Sequence, residues 1–362
     1  MLNSTIIAPE GATEMTKHVD LKKTSTTRIK AMKVYVRPGS DAEKLRKPPS
    51  TRRAPAPDEI VPGFPPTPEH DLKFRGGRTI ARLSFLNLFV GGTASWSQSD
   101  VDSINHALAG AMSDPSLNNV MCQYFSNQPI TTTFLGSHFV GVKRPKLVTE
   151  TAAKKLVTQL FKGGQLAGLD FPNTVVNLML PSGTVLTDGK GPGRDHKSEE
   201  REPPRPAGTP EDEAASSLSG LGGYHGSVDV GATRIYYAVG VYSQKLANGK
   251  ENGIAVFDAP WKNVVATFYH ELNEARTDPD VDQAIETNKT DGVIGWNSDD
   301  GEECGDFPVF EAGDLGSLSL VFQEVSLTSG GSAPVQFQYS DAVHGPEGPI
   351  LRPHALQIAL EI

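Results

Sequence analysis

The chain has 362 residues, a net charge of −9, 37% hydrophobic residues and a mean hydropathy of −0.32, enough for one large domain or two ordinary ones. No run approaches the ~18 apolar residues of a membrane span. Its 36 Gly and 27 Pro predict that part of the length stays outside a packed core.

Charge is unevenly spread. Residues 251–314 hold 16 Asp/Glu against 3 Lys/Arg, a local balance of −13, whereas residues 1–70 hold 12 Lys/Arg against 8 Asp/Glu, a balance of +4. The acidic block repels nucleic acid and attracts cations; its plain alternative is a solvated acidic loop. Cys122 and Cys304 are too few for a disulfide framework, and no CxxC pair is present. Two free thiols are expected, with a single disulfide as the alternative. The start of the chain has no basic stretch followed by an apolar one, so no secretory signal is visible. Location is left open.

In chain order, residues 1–70 read as a basic, Pro-rich tail, with prolines through 48–68 forbidding regular structure and a short strand over 31–36. A single domain is expected over 71–362. Residues 79–90 are a dense apolar run ended by Gly91 and Gly92, a buried strand. Ser97 or Ser99 caps a helix to about Met112, with Val101, Ile104, Leu108 and Met112 at helical spacing. Residues 120–125 and 131–139 look like strands. Thr149 starts a helix with Ala152, Leu156, Leu160 and Phe161 on one face, and 173–180 is a further buried strand. Residues 187–219 are Gly-, Pro- and charge-rich and read as a disordered insertion. Then come strand 234–241, helix 259–277, an acidic loop to Asp306, and strands over 318–325 and 335–339. The fold class expected is α/β or α+β, a mixed sheet with packed helices.

Helix 259–277 is the most informative segment. Trp261, Val264, Val265, Phe268, Leu272 and Ala275 form an apolar face, and His270 and Glu274, four apart, lie nearly opposite. His270-Glu271-Leu272-Asn273-Glu274 differs by one residue from the zinc motif His-Glu-x-x-His, in which i and i+4 ligands reach one metal and the Glu between them activates a water. Here His270 and Glu274 are the candidate ligands and Glu271 the candidate general base. A carboxylate in place of the second His makes the site harder, so calcium or manganese are alternatives to zinc. The plain alternative is a solvated helix face. A third ligand can come from His225, in the Gly-rich turn 222–226, or from Glu303 or Asp306 in the acidic run 299–306. An exposed turn and a solvated loop are their plain alternatives.

Other chemistries fail on composition. Asp278, Asp280 and Asp282 open like an EF-hand, but Gln283 and Lys289 stand where Gly and Glu are needed. There is no Walker loop and no G-x-S-x-G, and Gly76-Gly77 precedes a strand instead of following one. Cys304 reads as a structural thiol sooner than a nucleophile.

The order of these features resembles the EXORDIUM or phosphate-induced protein family over roughly residues 74–340. The residues that carry the likeness are Val90-Gly91-Gly92 through Trp96, Cys122-Gln123-Tyr124, Gly222 to Gly226, Tyr269 to Pro279, Gly295-Trp296 with Glu303-Cys304-Gly305-Asp306, and Val335 to Asp341. The family's other cysteines and its usual signal peptide are missing here. The resemblance implies a zincin-like helix with His225, His270, Glu274, Glu303 and Asp306 around a metal and Glu271 as base. Two functions follow as expectations: a zinc-dependent, peptidase-like hydrolase acting on a peptide or cell-surface component, or a non-catalytic binding or signalling protein with a structural metal. Neither nucleic acid nor membrane is an expected partner.

Overall fold

The computed structural model describes residues 34–42, 61, 63–189 and 215–348. Most of the tail read over 1–70 and the centre of the insertion read over 187–219 lie outside the described residues. The described parts of both join the fold. Thr187 bridges Ser216, a 3-10 turn follows at Ser217–Ser219, and Val34–Val36 forms a strand.

The centre is a six-stranded mixed sheet. Its strands are β1 (Val34–Val36), β2 (Arg82–Val90), β3 (Thr131–Val140), β4 (Thr174–Met179), β5 (Leu221–Val230) and β6 (Thr233–Gly240), in the order β1-β5-β6-β4-β2-β3. β3, β2, β4 and β6 run parallel; β5 is antiparallel to β6, and β1 is antiparallel to β5. Helices cover both faces. α1 (Gln98–Ser113) and α3 (Pro260–Thr277) pack on one side, and α2 (Glu150–Lys162) on the other.

Burial on both faces explains the unbroken apolar runs. Along β2, Leu83, Phe85 and Phe89 enter the α1/α3 core, while Leu86, Leu88 and Val90 enter the α2 core. β4 divides the same way, with Val175 and Met179 on one side and Val176 and Leu178 on the other. This is the two-residue side-chain period of a strand used twice. The polar exceptions pair with one another, Asn177 Nδ2 donating to Asn87 Oδ1 at 2.9 Å and Asn87 Nδ2 to Asn105 Oδ1 at 2.9 Å.

Most elements stand where periodicity puts them. Ser97 caps α1 by accepting from the Asp100 N–H at 3.1 Å, and Val101, Ile104, Leu108 and Met112 are all buried. The differences have physical reasons. Val120–Phe125, read as a strand, is a 3-10 helix ending at Ser126 in the left-handed region; a short, mostly apolar run does not by itself distinguish strand from helical turn. On α2 the buried side chains are Ala153, Val157 and Leu160, a face rotated by about one position from that expected. The acidic stretch contains α4 (Val281–Thr287) and leads into α5 (Asp306–Asp314). The C-terminal strands are β7 (Phe322–Ser326), β8 (Ser332–Gln336) and β9 (Gln338–Ser340). β8 packs on α3, which places Gln336 beside the polar side of that helix.

α3 approaches the sheet at a pair of glycines. Gly223 of β5 faces Gly240 of β6 across the ladder. A Cβ at Gly223 would lie 3.0 Å from Glu271 Oε1, and one at Gly240 3.0 Å from the Phe268 ring. The glycines of β5 therefore serve close backbone approach within a strand.

Leu272, fully buried between α3 and its neighbours, tests this packing. Leu272→Ala is expected to cost roughly 2–5 kcal/mol of unfolding free energy, read from denaturant midpoints at unchanged m-value.

Candidate metal centre

α3 starts with Pro260 in its first turn, where the missing N–H costs nothing. It ends at Asp278, whose N–H donates to Glu274 O at 2.7 Å, before Pro279 stops it. The apolar face is the one expected. The opposite face is not solvated: every residue from Asn263 to Thr277 is buried. β1, β5, β8 and the turn at residues 302–306 close over it, so His270, Glu271 and Glu274 lie inside the protein, none more than 1% exposed.

His270 is oriented by an amide relay. Gln336 Nε2 donates to Gly305 O at 3.1 Å and to Phe337 O, which leaves Gln336 Oε1 as an acceptor 2.7 Å from His270 Nδ1. His270 therefore carries its proton on Nδ1, an assignment made from the network. Its Nε2 is left as a bare acceptor. Nε2 lies 3.0 Å from Glu274 Oε2, yet has no hydrogen-bond partner. The Tyr35 ring of β1 packs on the imidazole, centroids 4.1 Å apart, and Gly305 crosses it where a Cβ would sit 2.4 Å from Nδ1.

His225 is held the same way from the sheet side. Its Nε2–H donates to Asp278 O at 3.0 Å, so Nδ1 faces inward, 3.3 Å from Glu271 Oε2 and 3.8 Å from Glu274 Oε2. Glu274 Oε1 accepts from the Gly305 N–H at 3.2 Å, and Asp306 Oδ2 accepts from the Glu303 N–H at 3.1 Å. Both imidazoles thus have one nitrogen anchored and the other aimed at acid oxygens.

Two groups of donors result, His270–Glu274–Asp306 and His225–Glu271–Glu274, each with ligand atoms within 4.8 Å of one another. Glu274 belongs to both. Glu303 belongs to neither; its Oε1 is 3.5 Å from His225 Nε2, and both its carboxylate oxygens are buried without a hydrogen-bond partner. Glu271 Oε1 is likewise unpartnered. Burial, reinforced by Glu274 and Asp306, pushes the Glu271 carboxyl well above the usual carboxylate range, and burial does the same to Glu303. Asp278 is pushed up to about 8, chiefly by burial, and burial lowers His225. Among the described residues, the ion pairs of Glu271, Glu274 and Glu303 are with histidine alone. The one guanidinium of α3, Arg276, turns away to Thr131 O and Thr132. The residues present fit a cation: buried, mutually facing donors with orphaned lone pairs are costly without one.

Five of the six candidate residues fall in these two groups and Glu303 lies beside them; His225 joins from a strand and not from an exposed turn, and the 299–306 run is not a wholly solvated loop. Glu302, Glu303 and Asp306 are buried, while Asp299 pairs with Lys73 and Arg75 outside. Asp280 and Asp282 do not join the centre; they meet Arg234 and Lys154. Cys122 and Cys304 are free and buried. Sequence reasoning missed Tyr35, Asp278 and Gln336 as site residues. The first lay in a presumed tail and the second in a rejected calcium loop. Gln336, which fixes the His270 tautomer, has no local signature.

The electrostatics predict a pH effect on the metal-stripped protein. Asp278, Glu271 and Glu303 titrate higher folded than unfolded, so the folded state holds more protons and stability falls as pH rises through this range. His225, lowered by folding, acts in the opposite sense only below its ordinary value of 6.5. Between pH 6.5 and about 8 His225 no longer opposes the raised acids, to which Asp341, pushed up to about 7, adds in the same sense, and the melting temperature should fall. Asp278→Asn should make that fall shallower; an unchanged slope overturns the assignment to Asp278. A further expectation concerns access: Tyr35→Ala should speed stripping of metal by a chelator, measured by stopped flow with a metal indicator. No family model matches this chain, no curated protein matches it, and no solved structure matches it, so the functional reading stands on the centre itself.

Proposed function

We propose that this chain is a divalent-metal protein in which His270, Glu274 and Asp306 hold the cation. The observation that carries the reading is the bare Nε2 of His270, fixed by the Gln336 relay 3.0 Å from a carboxylate oxygen in a fully buried site. That separation suits two donors at ~2.0–2.1 Å from one ion. The mixed imidazole and carboxylate set suits zinc or manganese better than calcium, which takes oxygen ligands. Its enclosure favours an ion that ties α3 to the 302–306 turn, since structural sites are closed whereas catalytic ones keep an open position.

A second reading, a zinc-dependent and peptidase-like hydrolase, draws on Glu271. This carboxyl follows the ligand His270 directly, has an unpartnered oxygen beside the donors, and is raised by burial toward the range useful to a general base. A bound cation would supply Lewis acidity at this point. Glu271 would take a proton from a water and pass it on, with His225 Nδ1, 3.3 Å from its second oxygen, placed to receive it. Gln336 would keep His270 aligned, and Tyr35 would shield the centre from bulk water. The likeness to the EXORDIUM family and to a zincin-like helix supports this reading through the order of the motifs, with a peptide or cell-surface component as substrate.

Elemental analysis of the purified protein separates the outcomes. At least one equivalent of zinc or manganese is expected, with a large loss in His270→Ala; full metal content in that variant overturns the ligand assignment. Glu271→Gln should keep the ion held by the His270 group. In the hydrolase reading it also abolishes cleavage of a quenched-fluorescent peptide library, and cleavage that survives this change excludes Glu271 as base.

A further inference from the structure

We infer that the centre holds two cations bridged by Glu274, the second bound by His225 and Glu271. The inference rests on the reading that His270, Glu274 and Asp306 hold a cation, and it makes Glu271 a ligand instead of a base.

Three observations carry it. The donors do not gather on one point: they divide into His270–Glu274–Asp306 and His225–Glu271–Glu274, which share only Glu274. Within Glu274, Oε1 is engaged by the Gly305 N–H, whereas Oε2 faces both inward nitrogens, at 3.0 Å from His270 Nε2 and 3.8 Å from His225 Nδ1. An oxygen flanked by two lone-pair nitrogens is placed to bridge. The second position has its own unpartnered donor, Glu271 Oε1, on a residue with no measurable exposure.

Charge points the same way. Glu271, Glu274, Glu303 and Asp306 are all at most 2% exposed, and each facing imidazole has one nitrogen anchored outside the cluster. When ionised, Glu271, Glu274 and Glu303, whose ion pairs among the described residues are with histidine alone, carry more charge than one divalent cation offsets, which matters in a site that burial makes costly for unbalanced charge. Carboxylates bridging two histidine-bearing positions are also the donor types of the dinuclear carboxylate centres built in helical bundles. Here three carboxylates and two histidines are assembled from a helix, a strand and a turn.

The test uses the full chain, stripped of metal and titrated with manganese. Calorimetry should give two equivalents per chain, and the loaded protein should show a spin-coupled manganese signal in place of the six-line spectrum of an isolated ion. His225→Ala should reduce the stoichiometry from two to one and restore the isolated-ion spectrum. A single equivalent in the unaltered protein, with the isolated-ion spectrum, overturns the pair and leaves the His270 site standing. No binding at all overturns both. Two equivalents that persist in His225→Ala overturn the assignment of the second ion to this group. The spectrum of the unaltered protein decides the matter even if the variant does not fold.

Discussion

The structure depends on how a cluster of carboxylates survives burial when, among the described residues, the ion pairs of Glu271, Glu274 and Glu303 are with histidine alone. Removing an ionised carboxylate from water costs several kcal/mol even after relaxation. Glu271, Glu274, Glu303 and Asp306 are each buried, and the first three meet only histidine nitrogens in their ion pairs among the described residues. Two remedies exist. Protons can neutralise the acids, which is the direction burial drives Glu271 and Glu303, or a cation can do so. The anchoring of both imidazoles favours the cation, because each ring already commits its N–H elsewhere and offers the cluster a lone pair.

The fold supplies what such a centre requires. The helix gives i and i+4 donors on one face, and the sheet holds that helix close through Gly223 and Gly240. β5 delivers His225 at a defined height, since strand side chains alternate and Tyr224 goes to the opposite core. The 302–306 turn and β8 then close the polar face from outside. Gln336 and Asp278 O work as outer partners that set which ring nitrogen is free, the role such groups play in orienting metal-binding histidines.

Much of this was legible in the residues. The apolar runs of β2 and β4, the periodicity of α1 and the apolar face of α3 were all readable from residue type and spacing, and each lies close to its expected bounds. His270, Glu271 and Glu274 were legible because four residues of helix bring two donors to one side. His225 was recognised as a donor but placed on an exposed turn, since Gly222, Gly223 and Gly226 resemble turn chemistry unless one knows that a helix and Asp282 press against them. Tyr35 was read inside a short strand over 31–36, but nothing local put it beside α3, because that strand finds its place only by pairing with β5.

Local sequence alone determined the long strands β2 and β4, the helices α1 and α3 and which face of α3 is apolar, because propensity and periodicity act over a few residues. Whether the polar face of that helix meets water or a second wall of acids is decided over separations such as the 66 residues between His270 and Gln336 or the 46 between His225 and Glu271. Only the folded chain brings those groups together and excludes the water that would otherwise solvate them, and exclusion of water is what turns ordinary surface residue types into a centre able to hold a cation.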